Sequence, residues 1–177
     1  MPETLEPVLE DNVRCIQQAL DLIGTLPAEV YAAKSGQSLG ASIGGHVRHN
    51  IDHYISFLRQ AADGRIDYDL RQREPAAETD PGVAHQRLHA IRSALVHLTS
   101  EELDKPIEVK MDCGRSGEWC ASTGRRELQF LLSHSVHHYA IIAMICGQHE
   151  IEVPAGFGVA PSTLKYREST AGDSGNS

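Results

Sequence analysis

Near the C-terminal end of the chain, three histidines interrupt an otherwise apolar helical stretch, Leu131-Leu132-Ser133-His134-Ser135-Val136-His137-His138-Tyr139-Ala140-Ile141-Ile142. Imidazoles on an apolar helix face are costly unless their ring nitrogens find partners. At about 100° per residue, His134 and His138 share one face with Leu131, Ile142 and Ile145, while His137 points elsewhere. Two imidazoles one turn apart on a core-facing stripe make half of a metal site, because both can reach one ion without bending the backbone. The rest of the chain must supply a third ligand.

The chain has 177 residues and 41% hydrophobic content, enough for one domain with a real core and too little for two. A formal net charge of -8 and a pI of 5.6 argue against a phosphate-binding surface, so nucleic acid is not expected as a partner. No uninterrupted apolar run reaches the roughly 18 to 20 residues that cross a bilayer, and the opening Met1-Pro2-Glu3-Thr4 is acidic where a signal peptide would be basic. We therefore expect a soluble, cytoplasmic protein with no membrane partner. The cysteines are Cys15, Cys113, Cys120 and Cys146. None forms a Cys-x-x-Cys, and the six residues between Cys113 and Cys120 do not match zinc-knuckle spacing, so reduced thiols are the expectation, with a hairpin disulfide or second metal site at Cys113/Cys120 as the alternative.

Helical periodicity predicts four long amphipathic helices. The first runs over residues 4–26 on Leu5, Leu9, Val13, Ile16, Leu20 and Ile23, and Pro27 closes it. The second runs over 42–62, with Ile43, Val47, Ile51, Ile55 and Leu58 as its aliphatic stripe. His46, His49 and His53 form another stripe on nearly the opposite side, so a metal site requires this helix to pack on both flanks. Residues 65–81 read as an ordered connection without helix. A third helix over 81–101 carries Leu88, Ile91, Leu95 and Leu98, and places His85 and His89 away from that stripe as surface residues. Alternation in Pro106–Met111, a turn at Gly114–Gly117 and a return at Glu118–Ala121 predict a small β-hairpin. The last helix starts at Thr123 and is apolar around most of its circumference, which predicts the most buried of the four. Together these describe an all-α four-helix bundle over 1–150 with a hairpin between helices three and four, an extended segment over 151–168 packing on the bundle, and a disordered tail over 169–177.

Six of the ten histidines lie on the second and fourth helices. Gly45-His46-Val47-Arg48-His49-Asn50-Ile51-Asp52-His53-Tyr54 and His134-Ser135-Val136-His137-His138-Tyr139-Ala140 resemble the helix-two and helix-four motifs of the DinB/YfiT-like superfamily, the His-x-x-His-His of the second being the more specific piece. The resemblance covers most of the chain and implies a metal-binding four-helix bundle. It assigns the ligands to His49, His134 and His138, with His46 or His53 able to replace His49. It implies a facial site for a divalent ion (Zn, Ni or Fe) with open positions for a small-molecule substrate and a low-molecular-weight thiol.

His137 is then a residue beside the site or at an interface, and Asp52, one turn beyond His49, is placed to accept a ring N–H. Arg48 and Tyr54 are weaker candidates for substrate contacts. No separate general base stands out, Asp52 and Glu118 being the carboxylates to consider. The loop 68–73 and the segment 157–167 are expected at the mouth of the site. Three neutral imidazoles leave a metal's charge intact, which suits thiol transfer or hydrolysis. The alternatives are a non-catalytic metal- or ligand-binding stress-response bundle and a metal-free, pH-sensitive helix interface. A homodimer through an exposed apolar helix face is a further expectation.

Overall fold

A computed structural model describes residues 5–34, 40–111 and 117–173. Its frame is four long helices: α1 (Pro7–Ile23), α3 (Ile43–Gln60), α5 (Pro81–Leu95) and α7 (Gly124–Gln148). Short helices α2 (Ala28–Ala32), α4 (Ala76–Thr79) and α6 (Ser100–Asp104) lie between them, and α8 (Pro161–Asp173) follows. Local chemistry sets the helix starts. Ser42 Oγ accepts the Gly45 N–H at the head of α3, Asp80 accepts from Gly82 and Val83 ahead of Pro81, and Thr123 accepts from Arg126 at the head of α7.

The expected third helix is broken. α5 ends at Leu95, and Thr99 with Glu102 forms a capping box that starts α6 as a separate helix. Those reciprocal bonds satisfy N–H groups that a continuous helix would have used itself. The connection 65–81 also holds regular structure. Residues Arg65–Asp67 form β1, parallel to β2 (Pro106–Lys110), which pairs antiparallel with β3 (Cys120–Thr123) in the expected hairpin. The register sets Arg65 against Glu108 and Pro106 against Thr123. Most of the proposed turn, together with Cys113, lies outside the described residues. Cys120 is exposed, and Cys15 and Cys146 are buried free thiols.

α3 packs on α7 with one flank and on α4 and α5 with others, so both of its stripes are covered. α1 packs on α5 and α7. The fully buried Ile16, Ile43, Ile51, Leu88, Leu95 and Leu128 fill the space between them. α7 is not the most buried helix: nine of its 25 residues are buried, against ten of 18 in α3. Its outer side keeps Met144 70% exposed. By length and composition α7 could span a bilayer, but here its apolar face serves the contacts with α1 and α3.

The C-terminal region departs from an extended segment with a disordered tail. Pro161 starts α8, which continues to Asp173, with residues beyond it outside the description. Proline at a first helical position costs nothing because its missing N–H would have had no partner there. Before α8, Phe157 stacks on Tyr139 with ring centroids 4.8 Å apart. Gly158, at φ +72°, comes so close that a Cβ there would meet the Ala140 nitrogen at 2.6 Å. Tyr139 and Ala140 lie across α7 from His134, so this segment braces the back of the helix and not the mouth of the site.

Gly44 marks another close approach. A Cβ on it would stand 2.0 Å from the Glu78 carbonyl oxygen and 2.6 Å from the Tyr31 ring, so α3 and α4 can touch only without one. Gly44→Ala should push α4 away and lower stability by about 1–3 kcal/mol, the usual range for overpacking. The check is the thermal midpoint, which should fall by several degrees; an unchanged midpoint would contradict the packing.

Candidate metal centre

The α3–α7 contact turns two histidine stripes toward one another. The rings of His49, His134 and His138 form a nearly equilateral triangle, with centroid separations of 4.9 Å (His49–His134), 4.6 Å (His49–His138) and 4.6 Å (His134–His138). Each offers a ring nitrogen within 4.8 Å of the other two. All three side chains are half-buried, so a bound ion would keep an approach from solvent. Three imidazoles converging this way fit a divalent ion with open positions. His134 Nε2 supports the fit: it is buried and has no hydrogen-bond partner. His46 Nε2 is likewise buried and unpartnered, and an ion is one partner that could satisfy such nitrogens.

His46 and His53 flank the triangle, each with one nitrogen engaged. His46 Nδ1 lies 2.9 Å from His138 Nδ1. With His138 as donor, that bond leaves its Nε2 lone pair for a metal, the usual way a neighbouring group fixes a ligand's tautomer. His53 Nδ1 donates to the His49 carbonyl at 2.8 Å, and its ring stacks on Tyr68 at 5.5 Å and faces His134 at 4.7 Å. His137 is exposed, with its ring centroid 5.3 Å from that of His138.

The imidazoles are held proton-free. Burial is the largest cause, and repulsion among the rings adds to it. His49 is lowered to about 2, His138 to about 3 and His134 to about 4. Burial also lowers His46 and His53. Neutral imidazole is the form that binds metal.

Several candidates from the sequence have other employment. Asp52 accepts no ring N–H. Its carboxylate takes the Arg48 guanidinium at 2.8 Å and the Glu74 N–H at 3.1 Å, and burial raises its pKa despite those donors. Arg48 also bonds Glu78 at 3.0 Å, tying α3 to α4. Tyr54 is fully buried, with its hydroxyl on Asn12 Oδ1 at 2.7 Å, so it belongs to the core and not to a substrate cleft. Glu118 is exposed just before β3. His85 and His89 form a separate pair on α5, with rings 5.9 Å apart.

Two residues at the site were not singled out by sequence reasoning. Glu127 is buried and accepts from the Tyr68 hydroxyl at 3.0 Å and Ser122 at 2.6 Å, so it fixes the ring that stacks on His53. It stands seven residues before His134, two turns away on the same face, and that spacing was a readable signal. Phe130 contacts both Tyr68 and His134, at 5.7 Å and 5.4 Å between centroids. The loop 68–73 does reach the site, through Tyr68, whose ring stacks on His53.

The helical bundle, its small sheet and this histidine cluster define a DinB-like fold with a candidate metal centre. A crystal structure of a DinB-like protein of Bacillus subtilis, YjoA, superposes with a TM-score of 0.64 at 20% identity, covering 86% of this chain and 99% of that one. FK506-binding protein 5 of Rhizopus delemar is 35% identical over 104 residues, which are 57% of this chain and 27% of that protein. The chain thus spans about a quarter of that relative's length. No family model matches.

The proton-free histidines set a pH dependence for the metal-free protein. Unfolding returns these rings to an ordinary pKa near 6.5, so the unfolded chain gains protons that the native site refuses. Their effect is absent above about pH 6.5 and lowers stability progressively as pH falls below it. Urea midpoints should therefore drop between pH 7 and pH 5, and drop less in His134→Leu/His138→Leu. Equal drops in the two proteins would contradict the assignment.

Proposed function

We propose that this protein binds one divalent ion (zinc, nickel or iron) through His49, His134 and His138 and uses it in thiol transfer or hydrolysis on a small molecule. The observation that carries the reading is the triangle of neutral, half-buried imidazoles, one of whose nitrogens, His134 Nε2, is buried and unpartnered. A metal held by three neutral ligands acts as a Lewis acid and brings the pKa of a bound water or thiol toward neutrality.

The chain's own groups then hold and orient. His46 steadies His138, and His53 is pinned by the His49 carbonyl on one side and by Tyr68 on the other. Asp52 and Glu127 are already engaged, the first by Arg48 and the Glu74 N–H, the second by Tyr68 and Ser122. Neither is free to act as a general base. That favours thiol transfer over hydrolysis, because a thiol ionises more readily than water and needs less help from a base. The same occupancy also favours a second reading, in which the site binds metal and ligand without turnover.

Elemental analysis of protein purified without a histidine tag tests the first step. Wild type should carry close to one ion per chain, and His49→Ala and His134→Ala/His138→Ala should lose it. His46→Ala should weaken metal affinity by about ten- to hundredfold without abolishing binding, as expected of a residue that orients a ligand. Metal-dependent transfer from a low-molecular-weight thiol, lost in His49→Ala, would establish turnover. Stoichiometric metal with no transfer would leave the binding reading, and a wild type that takes up none of the three ions would overturn both.

A further inference from the structure

One side of α7 stays open to solvent along most of the helix. Ser133, His137, Ala140 and Met144 are all exposed, Met144 at 70%. At about 100° per residue they fall in a sector roughly 60° wide, and their four-three-four spacing is that of a coiled-coil seam. The other sides of α7 are taken by α1, α3, α6 and β3, and by Phe157 stacked on Tyr139. Gly158 reaches the backbone of Ala140, whose methyl group stays exposed. Half-buried Phe130 borders the stripe on the edge nearest His134.

Side-chain sizes along this stripe are complementary under reversal about a point between His138 and Tyr139. Small Ser133 then meets large Met144, small Ala140 meets His137, and exposed Gly147 meets Phe130. An antiparallel copy of α7 therefore sets a bulky side chain against a small one in each layer, the knobs-into-holes fit of paired helices. A parallel copy would set Met144 on Met144 and His137 on His137. The charges follow the same symmetry. Arg126 at the head of the stripe and Glu150 just past its end are exposed, and neither joins any of the described ion pairs. Reversal about the same centre brings Arg126 of one copy to Glu150 of the other, at both ends of the stripe.

We infer that this face of α7 is the interface of a homodimer, on which a second copy of the chain docks its own α7 antiparallel, with Arg126 and Glu150 paired at each end. A two-fold axis makes the surface its own partner, so every contact forms twice. A lipid surface is the poorer occupant, because the chain carries a formal net charge of -8 and the stripe lacks the basic flank that anionic headgroups attract. The interface also adjoins the histidine cluster. The His137 ring centroid lies 5.3 Å from that of His138, and Phe130 lies 5.4 Å from His134, so two side chains at the interface touch candidate ligands. The inference stands whether or not the cluster holds a metal.

Sedimentation equilibrium of the full chain tests it. Wild type should be a dimer in the micromolar range. Met144→Glu places a carboxylate in the seam of each copy and should raise the dissociation constant at least about a hundredfold, with the helix content by circular dichroism unchanged. Arg126→Glu and Glu150→Arg should each weaken the dimer by about tenfold, because each pair forms twice, and the two together should recover it. The register is read by cross-linking. Ser133→Cys/Met144→Cys should join between chains through a short bis-maleimide, with the link mapped to 133–144. Ser133→Cys alone should not link to itself, since its two copies lie about 16 Å apart along an antiparallel pair; the same length separates 133 from 144 within one helix and prevents a link inside a chain. A wild type that is monomeric at about 100 μM would overturn the inference, and binding of that monomer to phosphatidylcholine vesicles would give the face to a lipid surface. A dimer that survives Met144→Glu, or one in which Ser133→Cys links to itself, would overturn it too, because the interface would then lie elsewhere or run parallel.

Discussion

Everything at this site depends on the packing of α3 against α7, which brings two stripes of imidazole face to face inside a bundle. Such a contact is expensive. Each ring gives up water, and the low local dielectric makes a proton on any of them unfavourable to its neighbours. The fold offsets part of the cost locally, with the His46–His138 bond and the His53 bond to the His49 carbonyl. It leaves His134 Nε2 without a partner. A buried nitrogen in that condition is one that a metal ion could satisfy.

Around that contact the structure places groups that restrict movement without touching the metal position. Glu127 fixes Tyr68, Tyr68 backs His53, and Phe130 bridges Tyr68 to His134. On the other flank, Asp52 and Glu78 hold Arg48, and the close approach at Gly44 sets α4 against α3. The loop between β1 and α4 is tied at both ends, so the residues it delivers arrive at defined places. Ligand positions held by engaged neighbours are preorganised, and metal affinity depends on that.

Much of this was legible in the sequence, for identifiable reasons. One-turn spacing put His134 and His138 on one face, and the four long helices followed from apolar periodicity and capping residues. Which histidine of α3 completes the set was not legible, because His46, His49 and His53 share a stripe. His49 is the one whose ring nitrogen converges with those of His134 and His138 within 4.8 Å, and only the packed structure shows that. Tyr54 was misjudged because one residue beyond His53 is about 100° further round the helix, which carries it into the core. β1 was invisible because its three residues are too short for a period and their partner lies some forty positions away. The part played by Tyr68 depends on the fold bringing its ring to His53 on α3, so local pattern alone does not reveal it.

The proposed site requires that His49, His134 and His138 bind one ion together. X-ray absorption at the metal edge of the zinc-loaded protein tests it most directly. Three imidazole nitrogens at about 2.0–2.1 Å are expected, with the remaining scatterers light atoms from solvent. A first shell dominated by oxygen or sulfur, or one that still shows three imidazoles after His49→Ala, would contradict it.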